Sequence, residues 1–327
     1  MDQGDEAGGR GGELDRRRLA LLIGAAALAP VAARADILER LQTGTRIPKF
    51  GAAAAYVPPT SVATVADIYR RMTAAVMVNG HGPYPFVVDT GANQSVLSAD
   101  IAAQLALPVG PPRPLNGVAG VQIAPTVTAT LAIGERVHRD VELSVLPGEA
   151  LGGAGLLGLD RLDGQRLTLD FGRQTLRIED SHAWRDPEEI TVKAHRRDGQ
   201  LTLVKADLAG IPLVAFLDSG AQNTIGNQTL RRLALTRNPK TLWIRTPIVS
   251  ATGQTIDAEI ADLPALRIGG LRLPNWPVAF ADLHTFRLWN LIDQPAILVG
   301  VDVMSRFEHV SLDFARDEVR FRLPKGS

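Results

Sequence analysis

The chain has 327 residues, 45% of them hydrophobic, which is enough to build two packed domains. Its 35 basic and 35 acidic residues cancel, and the first 35 positions carry five of each, so the remainder is balanced too and nothing suggests a nucleic-acid or anionic-membrane binder. Cysteine is absent, which excludes disulfides, thiol nucleophiles and Cys-metal sites, and the six His are scattered without metal-binding spacing, so no metal or cofactor is expected.

Residues 1–35 read as an export signal. Arg16-Arg17-Arg18 precedes the apolar run Leu19–Val31, which is too short to span a membrane comfortably, and Ala33-Arg34-Ala35 fits small-residue cleavage before Asp36. The paired arginines resemble a twin-arginine signal, so the expected location is periplasmic or secreted, with no stable membrane span after cleavage. Residues 36–69, with Gly51–Ala55 and Pro58-Pro59, read as an N-terminal arm or propeptide.

A first domain is expected over 70–180. Ala75–Asn79 and Phe86–Val88 form the arms of a β-hairpin, and its second strand runs into Asp89-Thr90-Gly91-Ala92. Ser98 caps a short helix over 99–107. The small, Gly-bearing stretch Asn116-Gly117-Val118-Ala119-Gly120 follows, then the turn Ile133-Gly134, then Leu156-Leu157-Gly158-Leu159-Asp160. Closing strands at Leu169-Asp170-Phe171 and Leu176-Arg177-Ile178 complete this half. Residues 179–189 form a polar linker.

The second domain, 190–325, repeats the order. A hairpin with Gly210 in its turn delivers Phe216-Leu217-Asp218-Ser219-Gly220-Ala221, and Asn227 caps the next helix. Ser250-Ala251-Thr252-Gly253-Gln254, Ile268-Gly269, Leu298-Val299-Gly300-Val301-Asp302 and Leu312-Asp313-Phe314 follow. The offset between halves is 129 residues at the Asp, 142 at the Gly and 143 at the closing strand. Preserved order with one longer loop is the spacing of a two-fold internal duplication, with no short solenoid period.

In each copy an apolar strand brings an Asp to the edge of a core, and Gly91 or Gly220 lets the chain turn so that backbone N–H groups reach the carboxylate. Thr90 and Ser219 supply hydroxyls that lock one turn against the other, a network role and not a nucleophilic one. Two such carboxyls face to face cannot both ionise, so they share a proton and hold a water between them. The ionised carboxyl activates that water and the protonated one polarises a peptide carbonyl, with no cofactor required.

The two strand-Asp-Thr/Ser-Gly-Ala turns, the helix after each, and the two apolar-apolar-Gly-x-Asp segments resemble the retropepsin-like aspartic proteases, with two retropepsin-type halves in one chain over roughly 70–325. The resemblance implies an all-β fold of two pseudo-symmetric acid-protease barrels, each with a short helix after its Asp turn. It implies a dyad of Asp89 and Asp218, with Gly158 and Gly300 packed under the active-site loops and a groove for a peptide or protein substrate. It also implies hairpin flaps, for which Gly117, Gly120 and Gly253 are the candidates; neither tip carries the flap Tyr of pepsin-like relatives. One chain supplies both halves, so a monomer suffices.

Rival readings are a silent peptide-binding protein of the same fold and a glycosidase with paired carboxylates. Gly153–Gly158 satisfies G-x-G-x-x-G, but a turn and a strand follow it in place of the long helix a dinucleotide site needs. Asp160 and Asp302 are expected to make loop hydrogen bonds, and the four Trp to pack in the core or between domains.

Overall fold

The computed structural model describes residues 61–63, 71–162, 164–183, 186–197 and 200–325. The expected signal segment, and the expected arm apart from 61–63, lie outside the described residues. None of the described helices is long and apolar enough to cross a membrane.

The first half contains β1 (Ser61–Ala63), β2 (Thr73–Val78), β3 (His81–Val88), β4 (Val96–Ser98), α1 (Ala99–Gln104), β5 (Val109–Gly117), β6 (Gly120–Ile133) and β7 (Arg136–Leu146). It continues with α2 (Gly148–Leu151), β8 (Gly155–Leu157), a 3-10 turn at Leu159–Arg161, β9 (Gln165–Asp170) and β10 (Thr175–Asp180). The second half contains β11 (Glu189–Arg197), β12 (Gln200–Leu208), β13 (Ile211–Leu217), β14 (Ile225–Gly226), α3 (Gln228–Arg237), β15 (Ile244–Val249) and β16 (Thr255–Ile268). It closes with β17 (Leu271–Ala281), α4 (His284–Leu288), β18 (Ala296–Val299), α5 (Val301–Met304), β19 (His309–Asp313) and β20 (Glu318–Arg322).

Strand order runs β2-β3-β8-β4-β7-β6-β5 in the first half, and an extra β2–β6 pairing curls the sheet on itself. In the second half the order β12-β13-β18-β14-β17-β16-β15, with a β12–β16 pairing, repeats it strand for strand. The fold is therefore all-β, two acid-protease barrels with few short helices. Local residue choice explains the shared start of each. Asn79 and Gly80 turn the β2–β3 hairpin at φ of 50° and 79°, and Ala209 and Gly210 turn β12–β13 at 52° and 76°. Such left-handed pairs match the twist of a two-residue hairpin. Each post-Asp helix is capped by a side-chain oxygen: Ser98 Oγ accepts from Ile101 N at 3.2 Å and Asn227 Oδ1 from Leu230 N at 2.8 Å.

A third, bridging sheet joins the halves in the order β1-β10-β9-β19-β20-β11. At its centre β9 and β19 run antiparallel, with Thr168 opposite Ser311, Leu167 opposite Leu312 and Leu169 opposite Val310. Residues 168 and 311 are equivalent at the 143-residue offset, so the pseudo-two-fold axis passes between them. Their buried hydroxyls bond each other at 2.9 Å. Leu167, Leu169, Val310 and Leu312 belong to one continuous apolar core that spans both barrels. The outer strands are equivalent too: β1 pairs with β10 as β11 pairs with β20. Ser61–Ala63, which the sequence reading assigns to an arm, thus forms an edge strand of this sheet. Three residues are too few to display the period-two alternation that marks a strand.

Candidate active site

Each Asp leaves the end of an inner strand that is held on both sides. β3 runs parallel to β8 and β13 parallel to β18. Asp89 N donates to Leu157 O and Asp218 N to Val299 O, both at 3.0 Å. The turn then folds back on its carboxylate. Gly91 N donates to Asp89 Oδ1 at 2.9 Å, and Gly220 N and Ala221 N donate to Asp218 Oδ1 at 2.9 and 3.1 Å.

The two turns interlock across the pseudo-dyad. Thr90 N donates to Ser219 Oγ at 3.1 Å and Ser219 N to Thr90 Oγ1 at 3.0 Å. Each hydroxyl also donates to the opposite strand, Thr90 Oγ1 to Leu217 O at 2.9 Å and Ser219 Oγ to Val88 O at 2.7 Å. Four bonds between buried groups hold the two strand ends together, so neither Asp can drift without breaking them.

The glycine of each turn lies against the carboxyl of the other half. A Cβ at Gly91 would stand 2.4 Å from Asp218 Cγ, and one at Gly220 would stand 2.3 Å from Asp89 Cγ. Only hydrogen fits in either place. Each carboxyl thus faces the other across the pseudo-dyad, close enough for its charge to act on the partner. Asp218 is buried and Asp89 half-buried. Burial pushes the Asp218 carboxyl well above the usual carboxylate range, and the neighbouring Asp89 charge pushes it further. Burial also raises Asp89, against the opposing pull of the neighbouring Asp218 carboxyl, of Gly91 N–H and of the Arg71 guanidinium.

Beneath each turn sits the Gly-x-Asp segment. A Cβ at Gly158 would meet Gln94 C at 2.7 Å, and one at Gly300 would meet Asn223 C at 2.7 Å, so both glycines back directly onto the loop that follows the Asp. Two hydroxyls that the sequence reading passed over tie these layers together. Ser95 Oγ accepts from Gly158 N at 3.0 Å and donates to Asp160 Oδ1 at 2.8 Å. Thr224 Oγ1 accepts from Gly300 N at 3.1 Å and donates to Asp302 Oδ1 at 2.7 Å. Both lie six residues after their Asp, and that matched spacing was the available signal. Burial lifts the Asp302 carboxyl to about 6 in spite of its bonds from Thr224 and Val303.

The hairpin tips named from sequence meet each other. A Cβ at Gly117 would stand 2.7 Å from Thr252 Cγ2. Each tip also reaches the opposite half. Val118 packs on the second-half apolar cluster that contains Phe216, Phe286 and Leu298, and its carbonyl accepts from His284 N at 2.7 Å. Ala251 packs on the first-half cluster of Val87, Val96, Leu151 and Leu156. Gly120 pairs with Gly117 at the base of the first tip, and Gly253 closes the second by donating to Ser250 O at 2.9 Å. Trp289 fills the core beside Phe216, ring centroids 4.4 Å apart.

Two pseudo-symmetric barrels that bring one Asp each to a common point define an acid-protease architecture. Residues 74–163 match the family described as gag-polyprotein putative aspartyl protease, and residues 204–303 match the family described as aspartyl protease. The two matches fall one on each half and together span more than half of the chain. The chain belongs to the retropepsin-like aspartic proteases and carries two such domains. No curated protein matches it.

Proposed function

We propose that the chain is an aspartic endopeptidase that hydrolyses peptide bonds with a water activated between Asp89 and Asp218. The observation that carries this reading is the pair of carboxyls brought together across the pseudo-dyad, each packed against the glycine of the other half's turn. One carboxylate takes a proton from water as its oxygen attacks the peptide carbon, while the protonated partner donates to the carbonyl oxygen. Proton transfer to the amide nitrogen then lets the C–N bond break, and the pair returns to its single-proton state. The meeting hairpin tips would part to admit the peptide and close over it. A glycosidase spaces its carboxyls around a sugar ring, whereas here two interlocked turns press each carboxyl against the other half's glycine, an arrangement that favours a shared water. One chain supplies both halves, so the active species is a monomer, exported through its N-terminal signal.

The test is cleavage of a degenerate peptide library across acidic to neutral pH, read by mass spectrometry, with Asp89→Asn and Asp218→Asn beside the parent chain. Both variants should keep the circular dichroism of the fold and lose cleavage. Substantial turnover by either variant would refute the shared dyad, and silence of the parent at every pH would refute the activity.

A further inference from the structure

The dyad is built by symmetry, but its surroundings are not symmetric. Arg71 is a buried cation, 6% exposed, two residues before β2. In the antiparallel β2–β3 ladder Thr73 lies opposite Val87, and Val88 N donates to Met72 O at 2.9 Å. Carrying that register on by two residues sets Arg71 across from Asp89. Its guanidinium is anchored at both ends. Nη2 donates to Leu151 O at 2.8 Å in the first half, and Nη1 reaches Gly220 O at 3.4 Å in the second. Gly220 is the residue whose α-carbon faces the Asp89 carboxyl.

The second half has no such cation at the matching place. Thr202 lies opposite Phe216 there, so the register that pairs Arg71 with Asp89 pairs position 200 with Asp218, and position 200 is Gln. Asp89 therefore faces one carboxyl and one guanidinium, whereas the charge acting on Asp218 is that of Asp89.

We propose that Arg71 is a positioning residue that makes the dyad unequal, holding Asp89 as the ionised partner and leaving the shared proton on Asp218. This rests on the dyad reading above and deepens it: Asp89 is the base toward water and Asp218 the acid toward the peptide carbonyl. Arg71 does this by its charge and by fixing the Gly220 carbonyl, without touching the reacting atoms.

The test begins without substrate and without altering Arg71. The lone carboxyl of the Asp218→Asn chain and that of the Asp89→Asn chain are titrated by carbon NMR of aspartate-labelled protein. Asp89 should titrate below Asp218 by about one pH unit or more, the effect of a nearby opposite charge. Equal values, or the reverse order, overturn the proposal. In the otherwise intact enzyme, Arg71→Met should move the acidic limb of kcat/KM upward by about one pH unit with little change in KM, and Arg71→Lys should hold it near its original place. An acidic limb that stays put in Arg71→Met, whatever the loss of rate, assigns Arg71 to structure alone and overturns the proposal. A chain whose carboxyls titrate unequally but which cleaves nothing would refute the endopeptidase reading and leave this inference standing.

Discussion

Thr90→Val is the sharpest probe of how the two halves are held in register at the site. Val keeps the shape and burial of Thr but removes the hydroxyl. Thr90 Oγ1 accepts from Ser219 N at 3.0 Å and donates to Leu217 O at 2.9 Å, so its loss strands one buried donor and takes a bond from one buried acceptor. Each such group costs about 1–3 kcal/mol, which puts the destabilisation at about 2–6 kcal/mol in total. Ser219→Ala should cost a similar amount, because Ser219 Oγ accepts from Thr90 N and donates to Val88 O. The four bonds form one network, so the double variant should cost less than the two single effects added. Urea unfolding followed by Trp fluorescence supplies the energies, and kcat on a cleavable peptide reports whether the carboxyls still meet. Thr90→Ser restores the hydroxyl and should stay near the parent in both. A Thr90→Val chain within about 0.5 kcal/mol of the parent, the usual range for inconsequential substitutions, would refute the reasoning.

Three further outcomes follow from the same geometry. Gly91→Ala places a methyl 2.4 Å from Asp218 Cγ and Gly220→Ala places one 2.3 Å from Asp89 Cγ. Either should lower kcat by about 100-fold through displacement of the carboxyl, and parent-like kcat in either would count against the close pairing. Burial raises the Glu318 carboxyl, but bonds from Lys193 and Arg320 and the charges of Lys193 and Arg316 outweigh it and bring it to about 2, against 4.5 when unperturbed. Its contribution to stability is therefore fully present above pH 4.5 and lost as pH falls toward 2. Acid melts should lose this slope in Glu318→Gln, and an unchanged slope would refute the assignment. Asp302 has the opposite sign: with its carboxyl raised from 3.8 to about 6, its contribution is present below pH 3.8 and lost as pH rises through 6. The raised Asp89 and Asp218 act in the same direction. Asp302→Asn should therefore shrink, without abolishing, the fall in melting temperature across that window; an identical fall would refute it.

The parts of this structure that were legible in the sequence are those written locally. An Asp-Thr/Ser-Gly turn after an apolar run, Gly in a hairpin, and Ser98 or Asn227 before a helix each carry their own physical reason. Every one of these signals is present twice, once in each half. The parts that were not legible depend on partners distant in the chain. Arg71 is an unremarkable Arg until the β2–β3 register sets it opposite Asp89, and Ser95 and Thr224 are ordinary hydroxyl residues until Gly158 and Gly300 dock beneath them. Likewise β1 becomes a strand because β10 offers it an edge, which three residues among Ala and Pro do not announce. The hairpin tips were found by their glycines, but their reciprocal seating on the opposite half follows from packing that no single segment encodes.

Fusing both halves into one polypeptide has a consequence at the walls that the hairpin tips touch. On one side the second tip approaches Ala150 of the four-residue α2; on the other the first tip caps the start of α4, backed by Phe286 and Trp289. A pair of identical subunits would have to present the same wall twice. Here each wall can change alone, so an extended peptide laid between them meets a different surface toward its amino end than toward its carboxyl end. The orientation of a bound chain would thereby be written into the protein, not left to the ligand.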